Sequence, residues 1–252
     1  MDRRLFYSAI VLSAAVIILA WTYLAPAAPP EGKGYDRALE KITFIHYKKG
    51  HAKPPWAGGG GGGTEEQGFY TYLSNGVRWR ESEDYRLNPT NGDKVKTSLI
   101  TNAVDAATSE WETAEGVSFN IFGTAILDQT VTYDDGNYRG YNTISFGNYS
   151  DPDVIAITSV WGYFSGSPSQ REIVEAHILL NDGDYSWGDA FDNITLMDVQ
   201  NILTHELGHW AGMGDLYEPV AAEETMYGYS TEGETKKRTL DVGDITGISK
   251  LY

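Results

Sequence analysis

The run His205-Glu206-Leu207-Gly208-His209-Trp210-Ala211-Gly212-Met213-Gly214-Asp215 decides the reading of this chain. On a helix, residues four apart project from one face on consecutive turns, so the imidazoles of His205 and His209 can reach one divalent cation. Glu206 flanks the same face. It can hydrogen-bond a metal-bound water without being a ligand, which is where a general base belongs. Gly212 ends the helix, because glycine takes the left-handed conformation that reverses a chain after its last turn. The reversal swings residue 215 back towards the metal, and that residue is a carboxylate, Asp215.

With Met226 downstream in TMYGY, the run resembles the metzincin signature H-E-x-x-H-x-x-G-x-x-H followed by a methionine turn. The third ligand position departs from the majority pattern, holding Asp215 in place of His as in small metzincins of the snapalysin type. A carboxylate is an accepted zinc ligand, but it lowers the net charge of the site and should make bound water less acidic. His177 is the other candidate ligand, and its strand-like surroundings mark it as a strand residue. The resemblance implies a zinc endopeptidase acting on peptide or protein substrates. His205, His209 and Asp215 would hold Zn2+, with Glu206 as base and Met226 as a soft apolar floor. Tyr227 or Tyr229 would line the cleft or donate to the reacting oxygen, plain packing being the alternative for both. Two other readings remain: a zinc amidase on a non-protein substrate, and a catalytically silent binding module on the same fold. Retention of Glu206 speaks against silence.

The resemblance extends over roughly residues 75 to 252 and favours the matrixin-like branch. GVRWRESEDYRLNP (76–89) looks like the opening strand of such domains, EAHILLNDGDYSWG (175–188) like their edge strand, and DVGDITGISKLY (241–252) like their closing helix. A substrate would then bind as an added strand along Ile173–Asn181. The expected fold is α+β: a metzincin-type zincin with a twisted mixed sheet and about three helices, preceded by an N-terminal transmembrane or signal helix.

Composition agrees with an exported enzyme. The chain contains no cysteine, so it has neither disulfides nor thiolate chemistry, and latency through a propeptide cysteine is excluded. Residues 57–252 carry 11 Lys+Arg against 31 Asp+Glu, a net charge of −20, which argues against nucleic acid as a partner. Among the acidic loops, Asn181-Asp182-Gly183-Asp184 is the Ca2+ candidate, although it lacks a full EF-hand loop.

Three regions follow. Residues 1–30 hold an uncharged run from Leu5 to Pro30 containing LFYSAIVLSAAVIILAWTYL, long enough to span a bilayer as a helix. An uncleaved anchor with the remainder outside is favoured, and signal cleavage after Ala25-Pro26-Ala27 is the alternative. Residues 31–67 read as a linker closing on six glycines, Gly58 to Gly63. Its basic stretch IHYKKGHAK reads as tether, with contact against the acidic domain as the alternative. Residues 68–252 form the catalytic domain. Strands are expected at Val77–Leu87, Ser118–Phe122, Asn142–Phe146, Asp153–Val160 and Ile173–Asn181. A helix carries Val95, Leu99, Ala103, Ala106, Ala107 and Trp111 on its apolar face. The ligand-bearing helix is expected to begin near Thr195, with Thr195 and Asp198 as a capping pair and Leu196, Val199, Leu203 and Leu207 as its buried stripe. The final helix follows Asp241.

Overall fold

The computed structural model describes residues 38–54, 62–64, 68–74, 76–134 and 137–252. The expected N-terminal membrane segment, 1–30, lies outside them. Among the described residues, no helix is long and apolar enough to cross a membrane.

Runs rich in β-branched and aromatic residues supply the strands. They are β1 (Glu40–Lys48), β2 (Gly62–Thr64), β3 (Gly68–Tyr70), β4 (Glu83–Asn88), β5 (Phe122–Leu127), β6 (Asn142–Gly147), β7 (Val154–Tyr163), β8 (Glu172–Asn181), β9 (Trp187–Gly188), β10 (Met197–Asp198) and β11 (Tyr229–Ser230). The helices are α1 (Thr97–Glu112), α2 (Val199–Ala211) and α3 (Val242–Leu251). Seven strands make one mixed sheet in the order β11-β1-β7-β8-β6-β4-β5. Strands β5, β4, β6 and β8 run parallel, β7 runs antiparallel to both β8 and β1, and β11 joins β1 in parallel. β7 is buried along its whole length, apolar except at Thr158 and Ser159, as suits a strand with neighbours on both sides.

Five sequence expectations change. The strand expected at Ser118–Phe122 lies further along the chain, at Phe122–Leu127, where it pairs with β4. The segment 31–67 is not simply a tether, because β1 lies within it and pairs with β7 from Glu40 to Tyr47. Its ITFIHY run has the β-branched and aromatic content of a strand, and the outer edge of β7 offers it a ladder. The segment within Ile173–Asn181 is not an edge strand: β8 sits between β7 and β6, and both ladders are filled. The opening strand is shorter than Val77–Leu87. Val77 and Trp79 are buried in the core, but only Glu83–Asn88 forms a ladder. Finally, α2 starts at Val199 and not near Thr195, since the Asp198 carboxylate caps the Asn201 N–H at 2.8 Å. Thr195 is used in a turn, where its hydroxyl bonds the Asn193 side chain.

Every residue of α2 except Gln200 is buried, so the helix has no polar face and its ligand-bearing side must be satisfied internally. α1 packs beside it, burying Ile100, Ala103, Val104, Ala107 and Trp111. Two indoles fix α2 from outside: Trp111 Nε1 donates to the Thr204 carbonyl and Trp79 Nε1 to the Trp210 carbonyl, each at 2.8 Å. Gly208 permits the closest approach, for a Cβ there would lie 2.2 Å from Met226 Sδ and 2.6 Å from Trp111 Cζ2. Overpacking of this kind costs about 1–3 kcal/mol. Gly208→Ala should therefore lower unfolding stability by that amount in urea titration of the metal-free protein, and an unchanged midpoint would refute the close packing.

Candidate metal centre

α2 presents His205, Glu206 and His209 on its sheet-facing side, and Gly212 terminates it in the left-handed conformation at φ 104°. A Cβ at Gly212 would also stand 2.6 Å from the Val77 carbonyl oxygen, so glycine is required there twice over. The reversed chain brings Asp215 back, as expected. Its Oδ1 lies 3.2 Å from His205 Nε2 and 3.2 Å from His209 Nε2. The loop is pinned to the methionine turn by Leu216 N–H to the Met226 carbonyl and Gly228 N–H to the Leu216 carbonyl, both 2.8 Å.

The tautomers are fixed by what lies behind the rings. His205 Nδ1 donates to the Thr225 carbonyl at 2.7 Å and His209 Nδ1 to the Met213 carbonyl at 3.1 Å, so both Nε2 atoms face Asp215, and each presents a lone pair there when its ring is neutral. Within the described residues, no protein donor meets His205 Nε2 or Asp215 Oδ1 with hydrogen-bond geometry, although both are buried. With both rings neutral, three buried acceptors converging in this way repel one another unless a cation joins them. Ligands at tetrahedral zinc, with bonds of about 2.0–2.1 Å, stand about 3.3 Å apart. The observed separations match that spacing, so the residues fit a zinc ion. Burial lowers the His205 pKa to about 4, keeping that ring neutral, whereas at His209 the Asp215 carboxylate outweighs burial and raises the pKa, and His209 in turn holds the Asp215 carboxyl well below the usual range, a charge pairing that a cation at the same point would replace.

Glu206 is fully buried. Its Oε1 accepts from His46 Nδ1 at 3.0 Å, and its Oε2 accepts from the Thr158 hydroxyl on β7. Burial raises its pKa to about 7, the range a general base needs near neutral pH. Met226 is completely buried against α2 at Gly208, held through its N–H and that of Thr225 by the Asp244 carboxylate of α3. Because the Thr225 carbonyl orients His205, Asp244 sets the ring from two steps away.

The other candidates fall elsewhere. His177 is a strand residue bonded to Thr143 at 2.6 Å and Glu175 at 2.8 Å, which uses both ring nitrogens. Tyr227 and Tyr229 pack with each other and Tyr229 with Tyr217, ring centroids 5.6 and 5.4 Å apart, in a small aromatic cluster beside the centre. At Asn181-Asp182-Gly183-Asp184 the side chains serve the turn: Asn181 bonds Asp184, and Asp182 accepts from Gly92 N–H.

Several residues at the centre escape a sequence reading. Tyr217 donates to Asp215 Oδ2 at 2.9 Å, leaving Oδ1 for the convergence point. Lys237, from a charged run that reads as surface, is completely buried. Its ammonium donates to the Tyr227 and Tyr229 carbonyls and reaches His46 Nε2 at 3.3 Å, and burial lowers its pKa to about 8. From β1, Phe44 stacks on His209 at 3.9 Å and His46 lies against His205 at 4.0 Å.

Comparison with known proteins agrees with this geometry. The Matrixin family model matches residues 78–252, and the chain belongs to the matrixin family. Metalloendoproteinase 1-MMP of Arabidopsis thaliana is 24% identical over 192 residues, covering 73% of this chain and 46% of that protein. The chain thus aligns with less than half the length of this relative. Zinc is the cofactor expected of matrixins, and the His205/His209/Asp215 cluster is its candidate seat.

Removing a residue that orients a ligand typically weakens metal affinity about 10–100-fold. Tyr217→Phe should weaken zinc binding at the lower end of that range, and Asp215→Ala by much more, as measured by chelator competition. Equal affinity in wild type and Asp215→Ala would exclude Asp215 as a ligand.

Proposed function

We propose that residues 68–252 form a zinc endopeptidase domain in which His205, His209 and Asp215 hold the metal and Glu206 is the general base. The observation that carries this reading is the buried convergence of two Nε2 atoms and Oδ1 at zinc-ligand spacing, one residue from a carboxyl with a pKa near neutrality. The relative's name, a metalloendoproteinase, supports the same activity. Zinc bound there supplies Lewis-acid polarisation of a scissile carbonyl and lowers the pKa of water. Glu206 Oε1 accepts the proton of the attacking water and returns it to the departing amine, while Thr158 keeps Oε2 in place. Met226 and the rings of Tyr217, Tyr227 and Tyr229 form the apolar side of the centre, with Tyr227 and Tyr229 as substrate contacts.

Asp215 in the third position supports a snapalysin-type ligand set within this family. The acidic third ligand makes a weaker Lewis acid than a third imidazole, because it cancels one unit of metal charge. For the N-terminus, the 20-residue uncharged run supports a membrane anchor with the domain outside the cell.

Glu206→Ala should leave zinc stoichiometry unchanged and reduce cleavage of a quenched fluorescent peptide by about 100-fold or more, the usual contribution of a positioned base. Full activity in that variant would overturn the assignment. Fractionation of cells expressing the whole chain should place it with membranes, whereas a soluble product beginning near Ala28 would show signal cleavage.

A further inference from the structure

A peptide recognised by strand addition needs an unpaired sheet edge beside the reacting groups. In this molecule the edge that borders α2 is the outer side of β7, and β1 occupies it. The pairing runs antiparallel from Glu40 opposite Gly162 to Tyr47 opposite Val154. On its other side β1 pairs in parallel with β11, Tyr47 opposite Tyr229 and Lys48 opposite Ser230. An extended segment of the chain itself is thus seated between two strands and crosses directly over the candidate metal centre.

Its side chains engage the groups that chemistry would use. Phe44 and His46, two residues apart and so on one face of the strand, stack on His209 and against His205. Lys237 can only donate, so its approach to His46 Nε2 leaves the ring proton on Nδ1, and that proton goes to Glu206 Oε1. Since Thr158 already donates to Oε2, both oxygens of Glu206 are engaged. His46 stands where a water must stand to give its proton to the base.

The same segment is built to come away. The main hydrophobic core has no buried member from residues 40–48, and only Ile42 packs partly against it. Tyr47 belongs to a small satellite cluster with Val154, Ile157, Leu179 and Tyr229. Of the ion pairs that hold the segment's basic end, Lys53 to Glu218 is solvent-exposed and Lys48 to Glu232 half-exposed, so water screens both. Strand β1 also precedes every other described element in chain order, so its departure unthreads nothing.

We propose that Glu40–Lys48 is an autoinhibitory strap, an internal peptide that fills the substrate groove of the intact chain and must leave β7 before a peptide substrate can enter. The proposal rests on the peptidase reading above. It gives this chain, which has no cysteine, a route to latency through strand pairing and a histidine hydrogen bond.

The test uses the full-length, zinc-loaded chain. Wild type is compared with Phe44→Ala/His46→Ala and with Ile45→Pro, which breaks the ladder by a separate route. Each is also made with Glu206→Ala. Turnover of a quenched fluorescent peptide is read alongside amide hydrogen exchange of residues 42–47. The strap predicts slow exchange there in wild type, fast exchange in both opened variants, and a gain in kcat/KM of about tenfold or more, the reciprocal of the open fraction. Glu206→Ala should abolish the gain. Opened variants that exchange fast but turn over no faster than wild type would overturn the strap. No turnover from any form would instead overturn the peptidase reading. In that event the strap is decided by exchange in wild type with a saturating peptide hydroxamate. Residues 42–47 must then lose protection, and protection that persists with the hydroxamate bound defeats it.

Discussion

Two imidazole nitrogens and a carboxylate oxygen meet among buried groups, and the protein is arranged around that meeting. Left alone, the meeting requires a proton on His209 or sets three acceptors against one another; a cation joining the three atoms replaces that proton and couples metal binding to folding. Everything around them restricts movement. Trp79 and Trp111 tie down α2 by its carbonyls, Asp198 caps it, and Gly212 turns the chain so that Asp215 can return. Asp244 secures the methionine turn whose Thr225 carbonyl aims His205.

This support comes from far along the chain. Asp244 lies on the last helix, Tyr217 on the loop after His205 and His209 and Thr158 on a strand before them, yet each bonds Asp215, Glu206 or the Thr225 that orients His205. A metal centre of this kind is therefore a property of the whole domain, and small displacements of α3 or β7 reach the ligand atoms through one or two hydrogen bonds. Lys237 extends the same logic to charge: a buried ammonium near His46, His205 and the carboxyls of Glu234, Asp215 and Glu206 offsets part of the negative potential that an acidic chain brings to its own cleft.

Strand β1 adds a second constraint. An unpaired edge on β7 would expose a row of backbone donors and acceptors beside the centre, and such edges attract other strands. In the intact chain that demand is met from within, by a basic segment lying on an acidic domain. Its hydrogen-bond ladder is extensive while its buried apolar contribution is small, and that combination suits a segment held in place but separable from the core.

How far the sequence reached follows from which interactions are local. The spacing of His205, Glu206 and His209 is a helical periodicity, the Gly212 reversal is a backbone preference, and Asp215 follows from both within eleven residues. The matrixin-like order of strands and helices was legible for the same reason, because each segment carries its own pattern. The identity of the edge strand was not, since Ile173–Asn181 has the same apolar alternation whether it ends a sheet or lies inside one. Nor was β1, whose strand-forming ITFIHY sits in a stretch that glycines and lysines make look like tether. His46, Thr158, Tyr217 and Lys237 carry no signal at all, for a lone histidine, threonine, tyrosine or lysine acquires its role only when a distant partner is brought to it. The sequence by itself determined the candidate ligands and base, because helix geometry sets His205, Glu206 and His209 on one side and the Gly212 reversal returns Asp215 to them. Only the tertiary structure decided what orients those groups and what lies across them, because those contacts join residues as many as 191 positions apart.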